Sequence, residues 1–300
     1  LTIGKTYKLV FEITNLTAGY ISLFGGSFGT PAVTVGTYER VFTCVNTTFG
    51  LVGNTFRGSI DNVSVKEVFN ADFDFTRGSS ATRVGSNGLI QTVASGLPRI
   101  DYTGGVGSWK FEPQRTNLIT YSEDFSNSFW GKSNATVSSG FTSPDGTTSA
   151  YKMVASAGNG QVSFNIASGN TNTKAISVFA KANTSTSKLR IIEQNYYGTQ
   201  TLFDLNLGVI EFSSSTGNST MEKYPNGWYK CTHIQEYTSG QTSAVFAFRS
   251  SIVDSFYLYG AQVEQGSYPT SYIPTQGTAQ TRVADVANNA GSSDLINSTQ

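Results

Sequence analysis

The chain has 300 residues, enough for two domains of ordinary size, and its formal net charge is zero, with 20 basic and 20 acidic residues. Charged residues make up only 13% of the sequence, compared with roughly 25% in an average soluble protein. This composition argues against nucleic-acid partners and against an anionic membrane surface, because both require a basic patch. The sequence also contains no run of the roughly 20 apolar residues that a membrane-spanning helix requires.

Residues 1–68 alternate between apolar and polar positions with the period of two that is typical of strands. The order of motifs GKTYKLVFEITN, VGTYERVFTCV and FRGSIDNVSVKEV is repeated later as NTKAISVFAKANTS, NGWYKCTHIQ and VDSFYLYGAQVEQG. We therefore interpret this segment as the C-terminal half of a jelly-roll domain and expect the other half to precede it or to come from another chain. The predicted buried face of its first strand consists of Tyr7, Leu9, Phe11 and Ile13.

Residues 69–116 combine glycine and proline turns with well-spaced apolar residues, so they are too apolar for a flexible linker and too interrupted for a sandwich. We predict an ordered connector of short hairpins that packs against a neighbouring domain or chain. Its predicted apolar anchors are Phe73, Phe75, Ile90, Ile100, Trp109 and Phe111.

Residues 117–283 contain several alternating runs separated by turn signals such as SPDGT and YPNGW, which predicts one complete sandwich domain. The segment 284–300 is interpreted as the start of a further unit. No sustained apolar spacing of 3.6 residues occurs, so the whole chain is predicted to be all-β, with tandem β-sandwich domains of the jelly-roll type. Two predicted strand faces consist of Ala244, Phe246 and Phe248, and of Tyr257, Tyr259, Ala261 and Val263. We predict that Trp130 and Trp228 pack in the core.

Five stretches in this order, NLITYSEDFSNSFW, SPDGTTSAYKMV, LFDLNLGVIEF, NGWYKCTHI and LYGAQVEQGSYPTSYIPTQGTAQTRVADV, resemble the jelly-roll domain of bacteriophage fibre, spike and tail proteins. That domain is itself similar to carbohydrate-binding modules. The resemblance implies a non-enzymatic appendage on the virion surface, on the head or the tail, that attaches to polysaccharide on the host. It also implies a homotrimer that contacts other virion proteins. Two alternatives stay open, a structural spacer or decoration protein and a segment of a glycan depolymerase.

The stretch IIEQNYYGTQ is the predicted glycan-binding region, because sugars stack on aromatic rings while amides and carboxylates bind their hydroxyl groups. The alternative is that one tyrosine belongs to the core and the other closes a hairpin at Gly198. The predicted binding residues are Glu193, Gln194, Asn195, Tyr196 and Tyr197.

The acidic pair Glu123 and Asp124 occupies the position where the resemblance implies a structural calcium ion, with Glu264 as a third ligand from the last strand. The alternative is a solvated acidic turn, and no cofactor is required for the predicted function.

Catalysis has little support in the sequence. His233 is the only histidine, and it shares a strand face with Cys231 without a recognisable third group to orient it. We therefore expect both residues to be structural.

Overall fold

The computed structural model describes residues 1–24, 31–67, 74–167, 172–195, 198–237 and 243–288. The chain divides into two compact units, with the boundary between Phe73 and Asp74. The regular secondary structure of the described residues consists of strands and a single 3-10 turn, Pro225–Gly227, which confirms the all-β prediction. In this part of the chain no helix is long and apolar enough to span a membrane.

The first unit is a three-stranded antiparallel sheet in which β1 lies between the other two strands. The predicted apolar face of β1 is confirmed, because its four alternating side chains are all buried. They pack with Ile21, Phe42 and Cys44 in a small core of this unit. The assignment of residues 1–68 as half of a sandwich domain stays a prediction. The strands are β1 (Thr6–Phe24), β2 (Gly36–Thr43) and β3 (Gly50–Glu67).

The second unit contains twenty strands among its described residues, most of them in two large sheets. In chain order they are β4 (Asp74–Thr76), β5 (Ala81–Val84), β6 (Ile90–Val93), β7 (Arg99–Asp101), β8 (Ser108–Lys110), β9 (Arg115–Asn117), β10 (Gly131–Ser133), β11 (Ala135–Phe141), β12 (Ala150–Ala155), β13 (Gln161–Ala167), β14 (Lys174–Ala182), β15 (Lys188–Glu193), β16 (Gln200–Asp204), β17 (Val209–Ser213), β18 (Thr220–Lys223), β19 (Trp228–Gln235), β20 (Ser243–Arg249), β21 (Ser255–Gln265), β22 (Gln280–Arg282) and β23 (Val286–Asn288).

Twelve of these strands form a β-sandwich of two six-stranded antiparallel sheets. The first sheet has the order β10-β13-β20-β15-β16-β17 and the second has the order β11-β12-β21-β14-β19-β18. Their inner faces share one apolar core, in which Phe246 and Phe248 are buried as predicted. Trp130 and Trp228 are 2% and 1% exposed, which confirms that both are packing residues.

The strand β21 contains a β-bulge at Gly260 that the sequence alternation did not predict. Phe179 of β14 pairs with Tyr259, but Ser177 pairs with Gln262, so β21 has one residue more than β14 between these pairs. Gly260 permits this because it adopts a positive φ of 59°. The prediction that these four residues share one face was therefore wrong. Tyr257 and Tyr259 lie on the outer side of the sheet. Ala261 and Val263 lie in the sandwich core.

The connector belongs to the same unit as the sandwich and covers the outer face of the second sheet. Val84 and Ile90, from the hairpin of β5 and β6, pack in one cluster with Phe179 and Trp228. The predicted connector of hairpins therefore packs against its own sandwich, since apolar residues on the outer face of that sheet need cover. The described residues 284–288 include β23, which pairs with β4 of the connector, so these five residues belong to this unit. Residues 289–300 lie outside the described residues, and the start of a further unit there stays a prediction.

A buried ion-pair network joins the connector to the last described strands. Asp285 accepts hydrogen bonds from Arg77 at 2.9 Å and from Arg99, and the three side chains are fully buried. Glu112 forms further ion pairs with Arg99 at 3.0 Å and with Arg282 at 2.9 Å. Because each buried charge has an opposite charge as neighbour, the network closes the unit around residues that are far apart in sequence.

Candidate functional site

The predicted glycan-binding stretch lies at the end of β15, and the structure describes only part of it. Glu193 is fully buried and accepts a hydrogen bond from the backbone of Asn195 at 3.0 Å, so its carboxylate stabilises the chain after the strand. Asn195 is exposed. Tyr196 and Tyr197 lie outside the described residues, and their role in binding stays a prediction.

Gln194 directly follows β15, and its side chain belongs to a polar group on the outer face of the first sheet. Its side chain donates to the amide oxygen of Gln161 on β13 at 3.1 Å. The same oxygen accepts hydrogen bonds from Nε and Nη2 of Arg249 on β20, at 2.8 and 2.5 Å. One predicted residue is thus connected to a basic residue that the sequence analysis did not single out.

Backbone pairing extends this group into a row of side chains across the first sheet. Gln161 pairs with Arg249, Arg249 with Arg190 of β15, and Arg190 with Leu202 of β16, which pairs in turn with Phe212 of β17. Directly paired residues project from the same face, with Cβ atoms about 4.5–5.5 Å apart. The residues next to them along the strands, such as Val162, Ile191, Phe203 and Phe248, belong to the sandwich core, so the row lies on the opposite, outer face. We call Gln161, Arg190, Gln194, Leu202, Phe212 and Arg249 the arginine face.

The two arginines form no ion pair with any described carboxylate. Two acids of the neighbouring strands, Asp204 and Glu211, are both paired with Lys188. Partial burial and the positive charge of Arg190 together lower the pKa of the Arg249 guanidinium from its ordinary value. The buried Nε of Arg190 has no hydrogen-bond partner. Like charges directly opposite each other destabilise a sheet, so this arrangement costs stability in the unliganded protein.

Such an arrangement can bind a carboxylate. Each guanidinium has five N–H donors in a planar fork that matches the two oxygens of a carboxylate. Arg249 already uses part of its fork on Gln161, whereas the described residues provide Arg190 with no acceptor. Phe212, which is 50% exposed, lies two strands from Arg190, a distance of about 10 Å, and offers a ring for stacking.

The three predicted calcium ligands are not brought together. Glu264 is fully buried and accepts hydrogen bonds from the backbone and hydroxyl of Thr270. Oδ1 of Asp124 caps a turn by accepting from the backbone of Ser126 at 3.0 Å and also accepts from Tyr151 at 2.8 Å. The described residues contain no group of three or more acidic, histidine or cysteine side chains that could hold a metal ion. Calcium binding by Glu123, Asp124 and Glu264 therefore stays a prediction.

Glu123 is part of a different arrangement, a pair of carboxylates that share one tyrosine hydroxyl. The hydroxyl of Tyr259 lies 3.1 Å from Glu123 and 3.1 Å from Asp145, and Tyr272 donates to Glu123 at 2.9 Å. Burial opposes ionisation of Asp145, but hydrogen bonds from Ser143 and Thr147 lower its pKa below the ordinary value. A glycosidase needs one carboxyl with a raised pKa as its general acid, so this environment does not favour Asp145 in that role.

Both residues of the predicted structural pair on β19 are buried. Burial lowers the pKa of His233 to about 4, and Nδ1 of its ring lies 2.9 Å from the hydroxyl of Thr201. Cys231 lies in the apolar core, where burial raises the pKa of its thiol. Neither environment favours a thiolate nucleophile.

No protein-family model matches the chain, and no curated protein matches it at a significant level. Among solved structures, the chain is similar to the enzymatically active domain of tailspike protein 4 of bacteriophage CBA120, with 15% identity and a TM-score of 0.32 over 49% of this chain and 21% of that one. A putative sugar-binding protein from Bacteroides thetaiotaomicron shows 10% identity and a TM-score of 0.29, with coverage of 50% and 94%. A carbohydrate-binding module with specific mannan recognition shows 7% identity and a TM-score of 0.27, with coverage of 50% and 95%. At TM-scores this low, these likenesses carry no argument about the function of the chain.

Proposed function

We propose that this chain is a non-catalytic, glycan-binding segment of a virion appendage and that it binds acidic polysaccharide on the host surface. The observation that carries the proposal is the pair Arg190 and Arg249, which lie side by side on an outer sheet face without a carboxylate partner among the described residues. The motif order that resembles phage fibre and spike proteins supports the virion role.

The proposed ligand follows from the chemistry of the arginine face. A sugar carboxylate placed between the two guanidinium groups would relieve their mutual repulsion and provide Arg190 with acceptors. The neighbouring ring of the same glycan chain would then lie along Leu202 towards Phe212, whose exposed ring suits the C–H face of a pyranose. The ligand class is therefore a chain that contains uronic acid or another carboxylated sugar.

We also propose that the chain acts as a homotrimer, as the resemblance implies. A single shallow site on a sheet face binds weakly, and repetition around a symmetric fibre raises the apparent affinity through effective concentration, by a factor of about 10²–10⁴. Light scattering on the purified protein measures the oligomeric state, and dense glycan surfaces should retain the oligomer far longer than sparse ones.

The proposal is tested by titrating the purified protein with uronic-acid oligosaccharides and with the same oligosaccharides after reduction of their carboxyl groups. The acidic forms should bind and the reduced forms should not. Arg190→Gln and Arg249→Gln should each weaken binding about tenfold to a hundredfold, because a hydrogen bond to a charged group contributes about 1.5–3 kcal/mol. Lys152→Gln on β12 of the second sheet removes the same charge elsewhere and should leave binding unchanged.

Equal binding of acidic and reduced oligosaccharides would contradict the proposed site, as would full binding by both arginine variants. Absence of binding across a glycan array, with and without calcium and with the oligomer intact, would favour a spacer or decoration role instead. Release of new reducing ends from a bound polysaccharide would show a depolymerase.

A further inference from the structure

The connector and the second sheet enclose a cavity of about 490 Å³ on the side of the sandwich opposite the arginine face. This volume lies within the range of roughly 300–1,000 Å³ that is usual for small-molecule sites. We call it the connector cavity. Its lining includes Trp109, Phe111, Glu222, Lys230, Thr232 and Tyr268.

Lys230 contributes a buried ammonium group to this cavity. The residue is 5% exposed, and its Nζ donates to the backbone oxygen of Thr270 and lies 5.9 Å from the centre of the Phe179 ring. An ammonium group has three donors, and the described residues provide an acceptor for one. None of them provides Lys230 with an ion pair within 4 Å. Burial lowers the pKa of this amine even though the carboxylates of Glu264 and Glu222 act to raise it, so further acceptors from a ligand would stabilise its charged form.

Thr232 provides a second buried polar group in the same lining. It follows Lys230 by two positions on β19, so both side chains project from the same face of the strand. Its hydroxyl oxygen is fully buried and has no hydrogen-bond partner. Unsatisfied buried hydroxyls are rare in folded proteins, and this one lines a space large enough for a ligand.

Three half-exposed aromatic residues line the cavity from the connector and from the loop after β21. Trp109, Phe111 and Tyr268 are 46%, 45% and 49% exposed. The rings of Trp109 and Phe111 are nearly parallel, with their centres 6.5 Å apart. Aromatic rings of this kind present flat apolar surfaces beside the buried donors, the combination that holds the faces and the hydroxyls of a sugar.

The charges closest to Lys230 favour an uncharged ligand, and Arg83, the other cation of the lining without an ion pair among the described residues, donates to the backbone oxygen of Ile100 and to Gln91. Asp101 is paired with Lys110 at 3.3 Å, and Glu112 is paired with Arg282 at 2.9 Å, so these charges are already compensated. Glu222 pairs with Lys230 across β18 and β19 and brings a negative charge close to the ammonium group. A carboxylated sugar would meet this carboxylate, whereas a sugar hydroxyl can accept from Lys230 and donate to Glu222.

We propose that the connector cavity is a second binding site, which takes one neutral pyranose unit from the end or a branch of a glycan. The aromatic lining holds the faces of the ring, and Lys230 and Thr232 hydrogen-bond to its hydroxyl groups. The site shares no residue with the arginine face, so it is independent of the acidic ligand proposed above.

The test follows tryptophan fluorescence while the purified protein is titrated with glucose, galactose, mannose and N-acetylglucosamine. Trp130 lies in the sandwich core, and Trp228 is buried behind Val84 and Phe179 of the lining. Trp109 itself lines the cavity, so Trp109→Phe should remove most of the change and separates its signal from that of Trp228. We expect at least one sugar to give a saturable change. Calorimetry with that sugar should show a loss of at least tenfold in affinity for Lys230→Met and of about fivefold for Thr232→Val.

Two controls separate binding from folding. Thr232→Val should keep or raise the melting temperature, because it removes a buried hydroxyl without a partner, so its loss of affinity cannot come from unfolding. Lys174→Met removes another buried lysine, outside the cavity, and should bind the sugar like the wild type.

The proposal is overturned if none of the four sugars changes the fluorescence of Trp109, or if Thr232→Val binds as tightly as the wild type. Arg190→Gln should bind the neutral sugar normally. If that variant loses acidic-glycan binding but still binds the neutral sugar, the arginine face and the connector cavity act as separate sites.

Discussion

At the scale of single residues, buried polar side chains distinguish this sandwich from a purely apolar one. Glu193 and His233 are both fully buried, and both lie towards the same end of the sandwich as Thr199, which contacts the histidine ring at 3.5 Å. The sequence predicted a structural role for His233 because no orienting group accompanies it, and its burial beside threonine hydroxyls agrees with that role.

His233 should make the stability of the second unit depend on pH. Its pKa is about 4 in the folded protein and about 6.5 when unfolded, because burial disfavours the charged ring. Below pH 6.5 the unfolded chain therefore binds a proton that the folded chain does not, and stability falls as pH decreases from 6.5 to 4. Denaturant unfolding should show a loss of about 2 kcal/mol between pH 7 and pH 5 from this residue.

His233→Gln is the control for that measurement, since it is the only histidine in the chain. Carboxyl groups titrate equally in both proteins, so the difference between them isolates the imidazole. A variant that loses as much stability between pH 7 and pH 5 as the wild type would contradict the assignment.

At the scale of strands, alternation of apolar residues predicts which face is buried only while the ladder stays regular. It succeeded for Phe246 and Phe248 on β20, where pairing with β13 continues without a shift. It failed on β21, because a bulge moves every following side chain to the other face. The signal was present as a glycine inside an apolar run, but a glycine alone does not show whether the strand bulges there.

Gly260→Ala should therefore destabilise the second unit by about 2–3 kcal/mol. An added Cβ would lie 3.1 Å from Phe179 and from Tyr272, and its backbone would keep a positive φ of 59°. Gly198→Ala is a matched control with the same φ and no atom within 4 Å of the new Cβ, so it should cost about 1 kcal/mol through the backbone alone. Equal losses in the two variants would show that the packing at the bulge contributes nothing.

At the scale of the whole molecule, the parts that the sequence did not predict are those that depend on contacts between distant segments. Alternation places Arg190 and Arg249 on polar faces of their strands, but it does not reveal that β15 and β20 are neighbours. Of the predicted anchors of the connector, Ile90 packs against the sandwich of the same unit, whereas Trp109 and Phe111 are about half exposed. Phe73 lies outside the described residues. Strand type and burial follow from local pattern, but a binding face is assembled by long-range pairing.

The ion-pair network around Asp285 is the clearest long-range contact, and it should decide whether the connector stays on the sandwich. Asp285→Asn leaves Arg77 buried without its compensating charge and Arg99 with Glu112 alone, and breaking a buried pair in this way costs about 3–5 kcal/mol. Denaturant unfolding measures the loss. Glu211→Gln breaks a half-exposed pair with Lys188 in the same unit and should cause a much smaller change.

Because the connector cavity depends on the same packing, Asp285→Asn should also weaken neutral-sugar binding while the arginine face keeps its affinity. A variant as stable as Glu211→Gln would show that apolar packing of the connector suffices without the network.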